Sequence, residues 1–401
     1  MKIICGRIYK HGIKNACIGI ENGKIACIKK NIEGKKIDYG DAIIFPSAID
    51  IHVHFREPGE EYKEDFFTGT KAAALAGVTC IIDMPNNKPP ILTKYFFNEK
   101  VKIVKNKACI DFGLYAGIGN NVEEMNCIAY KIFLSKDNEL YFPDLRSALR
   151  KVKEIDKPLL IHAELEECIE RKEARNLKEH EKNRNKECEI KAIKKIIDEN
   201  KDIDAKLHIC HVTTKDAIDL IGNKMSFGVT LHHLLFSYES KFKDEKMGKV
   251  NPPLRSEKER KKLYEYLIEG KIRILETDHA PHLLHEKDKF LGIPGIDALF
   301  PIMLYMVKEG KISFDLLHKM VCKNPSNFLG INKGSFEIGK DADFVVIDFR
   351  KDNRIKALSK CGWSPYEGMP CIYPKDVYLR GEKIVENGEF IGSGGIGKMI
   401  E

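Results

Sequence analysis

The sequence predicts an α/β protein in which a (β/α)8, TIM-like barrel carries a small β-sandwich domain formed by both termini. Three observations predict this fold. Short strands with tight turns occupy residues 1–45 and 335–390. Between them, eight apolar strand candidates alternate with helical segments, as in repeated βα units. Residues that can bind metal lie where these strands end, and barrel enzymes keep their active sites there. We therefore predict a composite β domain of residues 1–45 and 335–401 and a catalytic barrel of residues 46–334.

The composition is that of a globular chain. Of the 401 residues, 43% are hydrophobic and 32% are charged, which excludes a collagenous or wholly disordered protein. The net charge of +7 suits a small anionic substrate and is too diffuse to indicate nucleic acid. No apolar run approaches the roughly 18 residues of a membrane span, and the N-terminus is too short an apolar stretch for a signal peptide. We expect a cytoplasmic protein with neither a membrane nor a nucleic-acid partner.

The twelve cysteines are scattered and include no C-x-x-C pair. In a chain of this length the pattern favours reduced, buried thiols over a disulfide scaffold or a zinc knuckle.

Both ends of the chain contain hairpin patterns. Asn22-Gly23 separates two apolar runs, and this dipeptide favours a tight hairpin turn. A second hairpin is predicted over 377–385.

The middle of the chain alternates strand and helix patterns. The strand candidates are 42–45 continuing to 54, 78–84, 109–116, 129–135, 158–163, 206–212, 226–233 and 271–278. Helical segments include 66–76, 144–155, 187–199 and 257–269. The charged segment 164–200 is interpreted as a solvated helical surface.

Two strands carry unusual polar residues. His52 and His54 are two residues apart near the end of the first strand, so both imidazoles lie on one face and can bind a metal ion together. Lys131 stands inside an apolar strand, although lysine is almost never buried without a partner. It is either exposed at an edge or a desolvated amine that has reacted with CO₂ to form a metal-bridging carbamate.

Three further strands end in potential ligands. His162 ends the fifth strand, and Asp278 ends the eighth, where a carboxylate can bind metal and move protons. His208 and His211 are an odd number of residues apart, so only one can face the barrel interior. We choose His211 because it lies nearer the strand end, and leave His208 a packing or supporting role. The neighbours His232 and His233 would face opposite ways in a strand, and neither is assigned a role.

Taken together, these residues resemble the amidohydrolase superfamily and, within it, the dihydroorotases of the longer two-domain type. The resemblance extends over essentially the whole chain. It rests on the motifs DIHVHFREPG at 50–59, MPN at 84–86, IHAE at 161–164, HVTTK at 211–215, VNPPLR at 250–255 and TDHAPH at 277–282.

The resemblance implies a pair of zinc ions in each subunit. His52, His54 and Asp278 would hold one ion, and His162 and His211 the other. Lys131, as N6-carboxylysine, would bridge them.

The resemblance also implies residues that bind the substrate. Arg56, Asn86 and His282 would bind a carboxylate and the ring edge, and Asn251 with the backbone of Leu291 and Gly292 would contact a pyrimidine ring. The planar guanidinium of Arg56 can bind a carboxylate through two parallel hydrogen bonds. The substrates of allantoinases and hydantoinases lack that carboxylate, so an arginine is not expected at this position in those enzymes. The segment 282–291 resembles a mobile lid.

The implied reaction is the reversible cyclisation of N-carbamoyl-L-aspartate to L-dihydroorotate, with Asp278 as the proton carrier. Two alternatives stay open. One is a sister cyclic amidase of the allantoinase or hydantoinase type. The other is a non-catalytic dihydroorotase-like partner of aspartate transcarbamoylase, which the complete ligand set disfavours. Association with that enzyme and homo-oligomerisation both remain possible.

The chain departs from the family pattern in places. Asn87 follows the MPN motif where Thr is usual, and Leu283-Leu284-His285 makes the lid unusual. Neither change affects a proposed ligand, but the second leaves the lid's substrate contacts open.

Overall fold

The computed structural model describes residues 1–119 and 123–400. The strands are β1 (Lys2–Tyr9), β2 (Ile13–Glu21), β3 (Lys24–Lys29), β4 (Lys36–Pro46), β5 (Ala48–Val53), β6 (Val78–Asp83), β7 (Asp111–Gly117), β8 (Ala129–Phe133), β9 (Leu159–His162), β10 (Leu207–Ile209), β11 (Ser226–Thr230), β12 (Ile274–Glu276), β13 (Phe344–Ile347), β14 (Asn353–Arg354), β15 (Pro370–Cys371), β16 (Asp376–Leu379), β17 (Glu382–Glu386) and β18 (Glu389–Phe390).

The helices alternate with the middle strands. They are α1 (Phe66–Leu75), α2 (Lys94–Lys107), α3 (Leu145–Glu154), α4 (Leu177–Asn183), α5 (Lys186–Asn200), α6 (Lys215–Ile221), α7 (Leu231–Leu235), α8 (Glu257–Ile268), α9 (Leu299–Lys308), α10 (Phe314–His318) and α11 (Asn324–Leu329), with a π-helical turn at Lys319–Lys323. Side-chain caps begin many of them. Asp65, for example, accepts a hydrogen bond from the backbone N–H of Thr68 at the start of α1.

The barrel is formed by the parallel strands β5 to β12, which pair in chain order. The two end strands meet where the backbone N–H of His54 donates to the carbonyl of His279 at 2.8 Å. The prediction of one continuous first strand, from 42–45 on to 54, was wrong, because the chain breaks between two strands at Ser47. Residues up to Pro46 belong to β4 of the terminal sheet, and the barrel begins with β5.

Strands from both ends of the chain form one sheet, in the order β18-β17-β16-β13-β4-β1-β2-β3. Both predicted hairpins are present. Asn22 and Gly23 have φ of 50° and 75°, and Arg380 and Gly381 have φ of 47° and 73°. Two consecutive positive φ angles characterise the tight turn that matches strand twist. The exact domain limits at 45/46 and 334/335 stay a prediction.

A buried ionic cluster joins this sheet to the barrel. The ammonium of Lys333 lies 2.6 Å from Asp111 on β7 and 2.5 Å from Asp343 beside β13. Arg380 of the β16–β17 turn also pairs with Asp111. Because these charges are buried and mutually paired, removing one partner would leave an uncompensated charge inside the protein.

Two local expectations were wrong. The strand predicted over 226–233 ends at Thr230, and His232 and His233 lie in α7. The segment 164–200 is not simply a solvated surface, because Glu164, Arg184 and Glu189 are buried in it. Sequence composition did not reveal that these charges have partners on other elements.

The expectation of reduced thiols was wrong for four cysteines. The structure bonds Cys5 to Cys17 and Cys168 to Cys188. Cys5 and Cys17 are directly opposed across β1 and β2, a proximity that sequence spacing does not show. None of the helices over residues 1–119 and 123–400 has the length and apolar character needed to span a bilayer.

Candidate active site

Six of the barrel strands, β5, β6, β8, β9, β10 and β12, end at one cavity of about 480 Å³. Every predicted site residue except Lys131 lines it, namely His52, His54, Arg56, Asn86, His162, His211, Asn251, Asp278, His282, Leu291 and Gly292. The fold therefore brings together residues that lie more than two hundred positions apart in the chain.

One group of potential ligands surrounds the carboxylate of Asp278. Its Oδ1 lies 3.3 Å from Nε2 of His52 and 3.0 Å from Nε2 of His54. Asp278 has φ of 46°, an uncommon backbone conformation for a residue with a Cβ, of the kind that clusters at functional sites.

A second group consists of two facing imidazoles. Nδ1 of His162 lies 3.1 Å from Nε2 of His211, and both side chains are buried. His211 has φ of 40° where the chain leaves β10.

The spacings in both groups suit a metal ion. Ligand atoms about 2.0–2.1 Å from a tetrahedral zinc ion lie roughly 3.3 Å from one another. The distances from Asp278 to His52 and His54, and from His162 to His211, are 3.0–3.3 Å and are close to that separation between ligand atoms. Neutral imidazoles and a carboxylate are the nitrogen and oxygen donors that zinc takes.

Lys131 lies behind the cavity wall, fully buried on β8. Its Nζ is 2.9 Å from Sγ of Cys210 and 5.0 Å from the centre of the Phe133 ring. The burial of Lys131 excludes the interpretation that this lysine is exposed at the edge of a sheet. Among the described residues, no carboxylate lies within hydrogen-bond distance of Nζ.

The protonation states follow from burial and charge. Burial opposes a charge on His52, but Asp278 and Glu276 raise its pKa to about 10. Burial lowers the pKa of His54 to about 4. Burial also lowers the pKa of His162 and His211, and the charge of Lys131 adds to both effects. Burial disfavours the Asp278 carboxylate, yet His52 and His54 hold its pKa well below the usual range. The site therefore contains an ionised Asp278 beside a protonated His52, while His54, His162 and His211 are neutral.

A cationic wall faces these ligands. Arg56 is buried, and its Nε donates to the carbonyl of Pro281 at 3.0 Å. Its Nη2 lies 2.9 Å from Nε2 of His282. Burial and the charges of Arg56 and Lys63 hold the pKa of His282 far below its usual range, so this ring is neutral.

The remaining predicted substrate residues border the same space. Asn86 Oδ1 lies 2.7 Å from Nδ1 of His54, and Asn251 Oδ1 lies 3.0 Å from Nε2 of His180. The backbone N–H of Gly292 donates to the carbonyl of Lys249 at 3.1 Å. The buried ammonium of Lys287 also donates to the carbonyls of Lys249 and Gly292, which fixes the 291–292 backbone at the cavity edge.

Comparison with known proteins agrees with this geometry. The amidohydrolase family model matches residues 43–369, which include the whole barrel. The chain belongs to the amidohydrolase family.

Curated relatives place this amidohydrolase more closely. It is 36% identical to the dihydroorotase of Thermoplasma acidophilum, over 97% of this chain and 96% of that protein. It is 36% identical to the dihydroorotase of Pyrococcus horikoshii (97% and 93%) and 32% identical to that of Methanosarcina acetivorans (98% and 93%). The amidohydrolase is therefore a member of the dihydroorotase group.

Solved structures share its fold. An L-hydantoinase (dihydropyrimidinase) from Arthrobacter aurescens superposes with a TM-score of 0.92 at 26% identity, covering 99% of this chain and 98% of that one. A D-hydantoinase superposes with a TM-score of 0.89 at 26% identity, covering 100% and 98%. Hydantoinases and this amidohydrolase thus share one architecture.

Sequence reasoning missed the carboxylate that supports the ligands of this amidohydrolase. Glu276 on β12 accepts a hydrogen bond from the backbone of His211 at 2.6 Å and lies 3.4 Å from Nδ1 of His52. It also lies 3.3 Å from Nε2 of His208, which gives that residue its supporting role. A Cβ at Gly228 would collide with the Glu276 carboxylate, so glycine is required there. Glu276 is two residues before Asp278, and residues two apart in a strand lie on the same face, so the sequence could have indicated that Glu276 lies near the ligands.

A second missed support lies behind His162. Its Nε2 lies 2.7 Å from Glu164, whose carboxylate also pairs with Arg184 at 2.6 Å. Arg184 in turn binds Asp137. The i, i+2 spacing of His162 and Glu164 could have revealed the first contact, but Arg184 lies in a segment interpreted as solvated.

His232 and His233 differ in their surroundings. His233 contacts Thr230 through Nδ1 at 2.7 Å and the carbonyl of Pro252 through Nε2 at 3.0 Å. His232 is fully buried, and neither ring nitrogen has a hydrogen-bond partner among the described residues.

Proposed function

We propose that this amidohydrolase is a dihydroorotase that interconverts N-carbamoyl-L-aspartate and L-dihydroorotate plus water, the third step of de novo pyrimidine (UMP) biosynthesis. The observation that carries the proposal is the buried Arg56, which lines the same cavity as His52, His54, His162, His211 and Asp278. A buried cation without a partner carboxylate is costly. A substrate carboxylate would compensate it through a bidentate pair.

The ligand groups would hold two zinc ions. His52, His54 and Asp278 would bind one, His162 and His211 the other, and Lys131 as N6-carboxylysine would join them. When bound, the ions would supply Lewis acidity and a water that ionises near neutral pH. The support comes from the donor spacing and from the burial of Lys131.

Asp278 would carry the proton. In ring opening, a water oxygen bonds to the ring amide carbon and the ring C–N bond breaks. Asp278 takes the water proton and passes it to the leaving nitrogen. In cyclisation Asp278 removes a proton from the ureido nitrogen, which then bonds to the β-carboxyl carbon as water leaves. The depressed pKa of Asp278 favours the ionised form that begins each direction.

The cavity wall would set specificity. Arg56 and His282 would bind the substrate carboxylate, while Asn86 contacts the ring edge. Asn251 and the backbone at Leu291 and Gly292 would contact the pyrimidine ring. The support is that these groups border one cavity.

The setting of the enzyme follows from its substrate. A biosynthetic enzyme of this kind would work in the cytoplasm, where its small charged substrates would be made, and no helix among the described residues is long and apolar enough to span a bilayer. Association with aspartate transcarbamoylase, which would supply N-carbamoyl-L-aspartate, and self-association both stay predictions.

The deciding experiment is turnover of L-dihydroorotate by the purified chain, followed by absorbance. We expect activity that a chelator abolishes and Zn²⁺ restores. A panel of hydantoin, dihydrouracil and allantoin serves as the comparison. Turnover of one of these, but not of dihydroorotate, would overturn the proposal in favour of a sister amidase. Inactivity towards all four substrates with zinc bound, even when aspartate transcarbamoylase is added, would favour a non-catalytic role.

A further inference from the structure

The His282 ring lies between two cationic donors. Arg56 Nη2 is 2.9 Å from its Nε2, and Lys63 Nζ is 3.1 Å from its Nδ1. A neutral imidazole has one N–H and one lone pair. Arg56 and Lys63 can only donate hydrogen bonds. One of them can therefore donate to the lone pair of the ring, while the other faces the ring N–H, so that two donors oppose each other.

Of the two neighbours, Lys63 is enclosed by protein on all sides, whereas Arg56 lines the cavity, where a ligand can accept its hydrogen bonds. Lys63 is fully buried, and its ammonium lies 2.6 Å from Glu60 and 3.5 Å from Glu286. The ring of Phe290 lies 3.9 Å from Nζ and stacks on His282 with an interplanar angle of 7°. An ammonium has three donors and no acceptor. The donor directed at His282 therefore requires a lone pair on Nδ1.

The proton of His282 is then on Nε2, beside Arg56. The guanidinium is anchored at Nε by the carbonyl of Pro281, and both Arg56 and His282 line the cavity. Two donors thus converge with no acceptor between them. An anionic oxygen entering this space would receive a hydrogen bond from each and relieve their opposition.

We propose that Lys63 is a positioning residue that holds His282 as the Nε2–H tautomer, so that His282 donates a hydrogen bond to the substrate carboxylate. The inference rests on the proposed function, in which Arg56 and His282 bind that carboxylate. Lys63 acts through His282 and does not itself touch the substrate.

The first test is the tautomer itself. In ¹⁵N-histidine-labelled protein, the ring nitrogen signals of His282, assigned by their loss in His282→Gln, should show a protonated Nε2 and an unprotonated Nδ1. Lys63→Met should produce a mixture of tautomers. Glu60 keeps Lys88, and Glu286 keeps Tyr62, as partners in this variant. A protonated Nδ1 in the wild-type protein would overturn the proposal without any variant.

The second test separates positioning from folding. Lys63→Met should raise KM for L-dihydroorotate roughly ten- to hundredfold, the loss expected for one charge-assisted hydrogen bond, with bound zinc unchanged and kcat less affected. The matched control is Lys360→Met. Lys360 ties the same loop through the carbonyl of Glu61 and the carboxylate of Asp65 but does not contact His282. It should alter neither KM nor the tautomer.

A double-variant cycle completes the test. The amide of His282→Gln can donate near the Nε2 position without help from Lys63. Adding Lys63→Met to that variant should therefore leave KM unchanged. An equal increase of KM in both backgrounds would assign Lys63 to loop folding and overturn the proposal. Failure of the proposed function is distinguishable, because the wild-type protein would then not turn over dihydroorotate while the tautomer measurement still reports on Lys63.

Discussion

Nδ1 of His162 and Nε2 of His211 face each other at 3.1 Å, although the two residues are 49 positions apart. Nε2 of His162 is directed at Glu164, which leaves a lone pair on Nδ1. Nδ1 of His211 has no hydrogen-bond partner among the described residues. With the proton of His211 on Nδ1, the lone pairs of both rings would face one point, where the proposed metal ion would bind.

Lys131→Ala should lose activity and one or both zinc ions, because the bridging carboxylate cannot form. Short carboxylic acids such as acetate or propionate should restore part of the activity by occupying the vacated space. Metal analysis and initial rates with and without the acids test this. The same acids should not increase the wild-type rate, and full activity in the variant would refute the bridge.

Arg56→Ala should raise KM for L-dihydroorotate by roughly ten- to a hundredfold, since a charged hydrogen-bond pair contributes about 1.5–3 kcal/mol. Bound zinc should stay unchanged, because Arg56 contacts no ligand side chain by hydrogen bond. Steady-state kinetics and metal analysis provide the readouts. Arg146→Ala, at an exposed surface pair with Asp202, is the control. An unaltered KM in Arg56→Ala would contradict the carboxylate role.

Glu276→Gln should weaken zinc binding by about 10- to 100-fold, the range found when a residue that orients a metal ligand is changed. The neutral amide attracts Nδ1 of His52 less strongly than the carboxylate does, so the His52 ring is oriented less firmly. Competition with a chromogenic chelator measures the affinity. Glu189→Gln removes another buried carboxylate, one that binds Thr213, and should leave the zinc affinity as it was. Equal affinities in all three proteins would exclude the supporting role.

The ion pair of Glu164 and Arg184 should make stability depend on pH. Burial disfavours the carboxylate, but Arg184 and His162 lower the pKa of Glu164 to about 2, below the ordinary value of 4.5. A carboxyl group with a depressed folded-state pKa stabilises the protein above its unfolded pKa, and this contribution is lost as the pH falls from about 4.5 to about 2. The contribution at neutral pH is on the order of 3 kcal/mol.

The thermal midpoints of the wild-type protein and of Glu164→Gln, measured at pH 7 and at pH 3, test whether this stabilisation is lost at low pH. The wild-type advantage should shrink at pH 3. The comparison cancels other titrating groups, which both proteins share. A constant difference in Tm would show that the Glu164 charge does not contribute.

The potential metal ligands could be predicted from the sequence because each lies at a strand end, and a barrel collects strand ends at one face. Strand periodicity allowed one of His208 and His211 to face the interior, and the position nearer the strand end favoured His211. His211 lines the cavity, and its role as a metal ligand stays a prediction. The local sequence pattern was therefore sufficient to predict these residues, because the barrel fold itself brings the strand ends together.

Other features depend on contacts that no local pattern carries. Glu276 and Arg184 are charged residues whose partners lie on distant elements, so the sequence offered no reason to bury them. Lys63 has a local partner in Glu60, but its contact with His282 joins residues 219 positions apart. The break at Ser47 was missed because β4 and β5 form one apolar run that serves two different sheets. The helix at His232 was missed for a similar reason, since its apolar residues continue those of β11.

The place of β4 in the terminal sheet has a consequence for synthesis on the ribosome. One edge of β4 pairs with β1 at once, but its other edge pairs with β13, where Pro46 meets Phe344. At about 5–20 residues per second, translation of the intervening barrel takes on the order of 15–60 s. During that interval the nascent chain exposes an unpaired strand edge, which is a template for aggregation. Slow translation or a barrel that folds poorly would therefore be expected to lower the yield of this protein through β4 rather than through the active site.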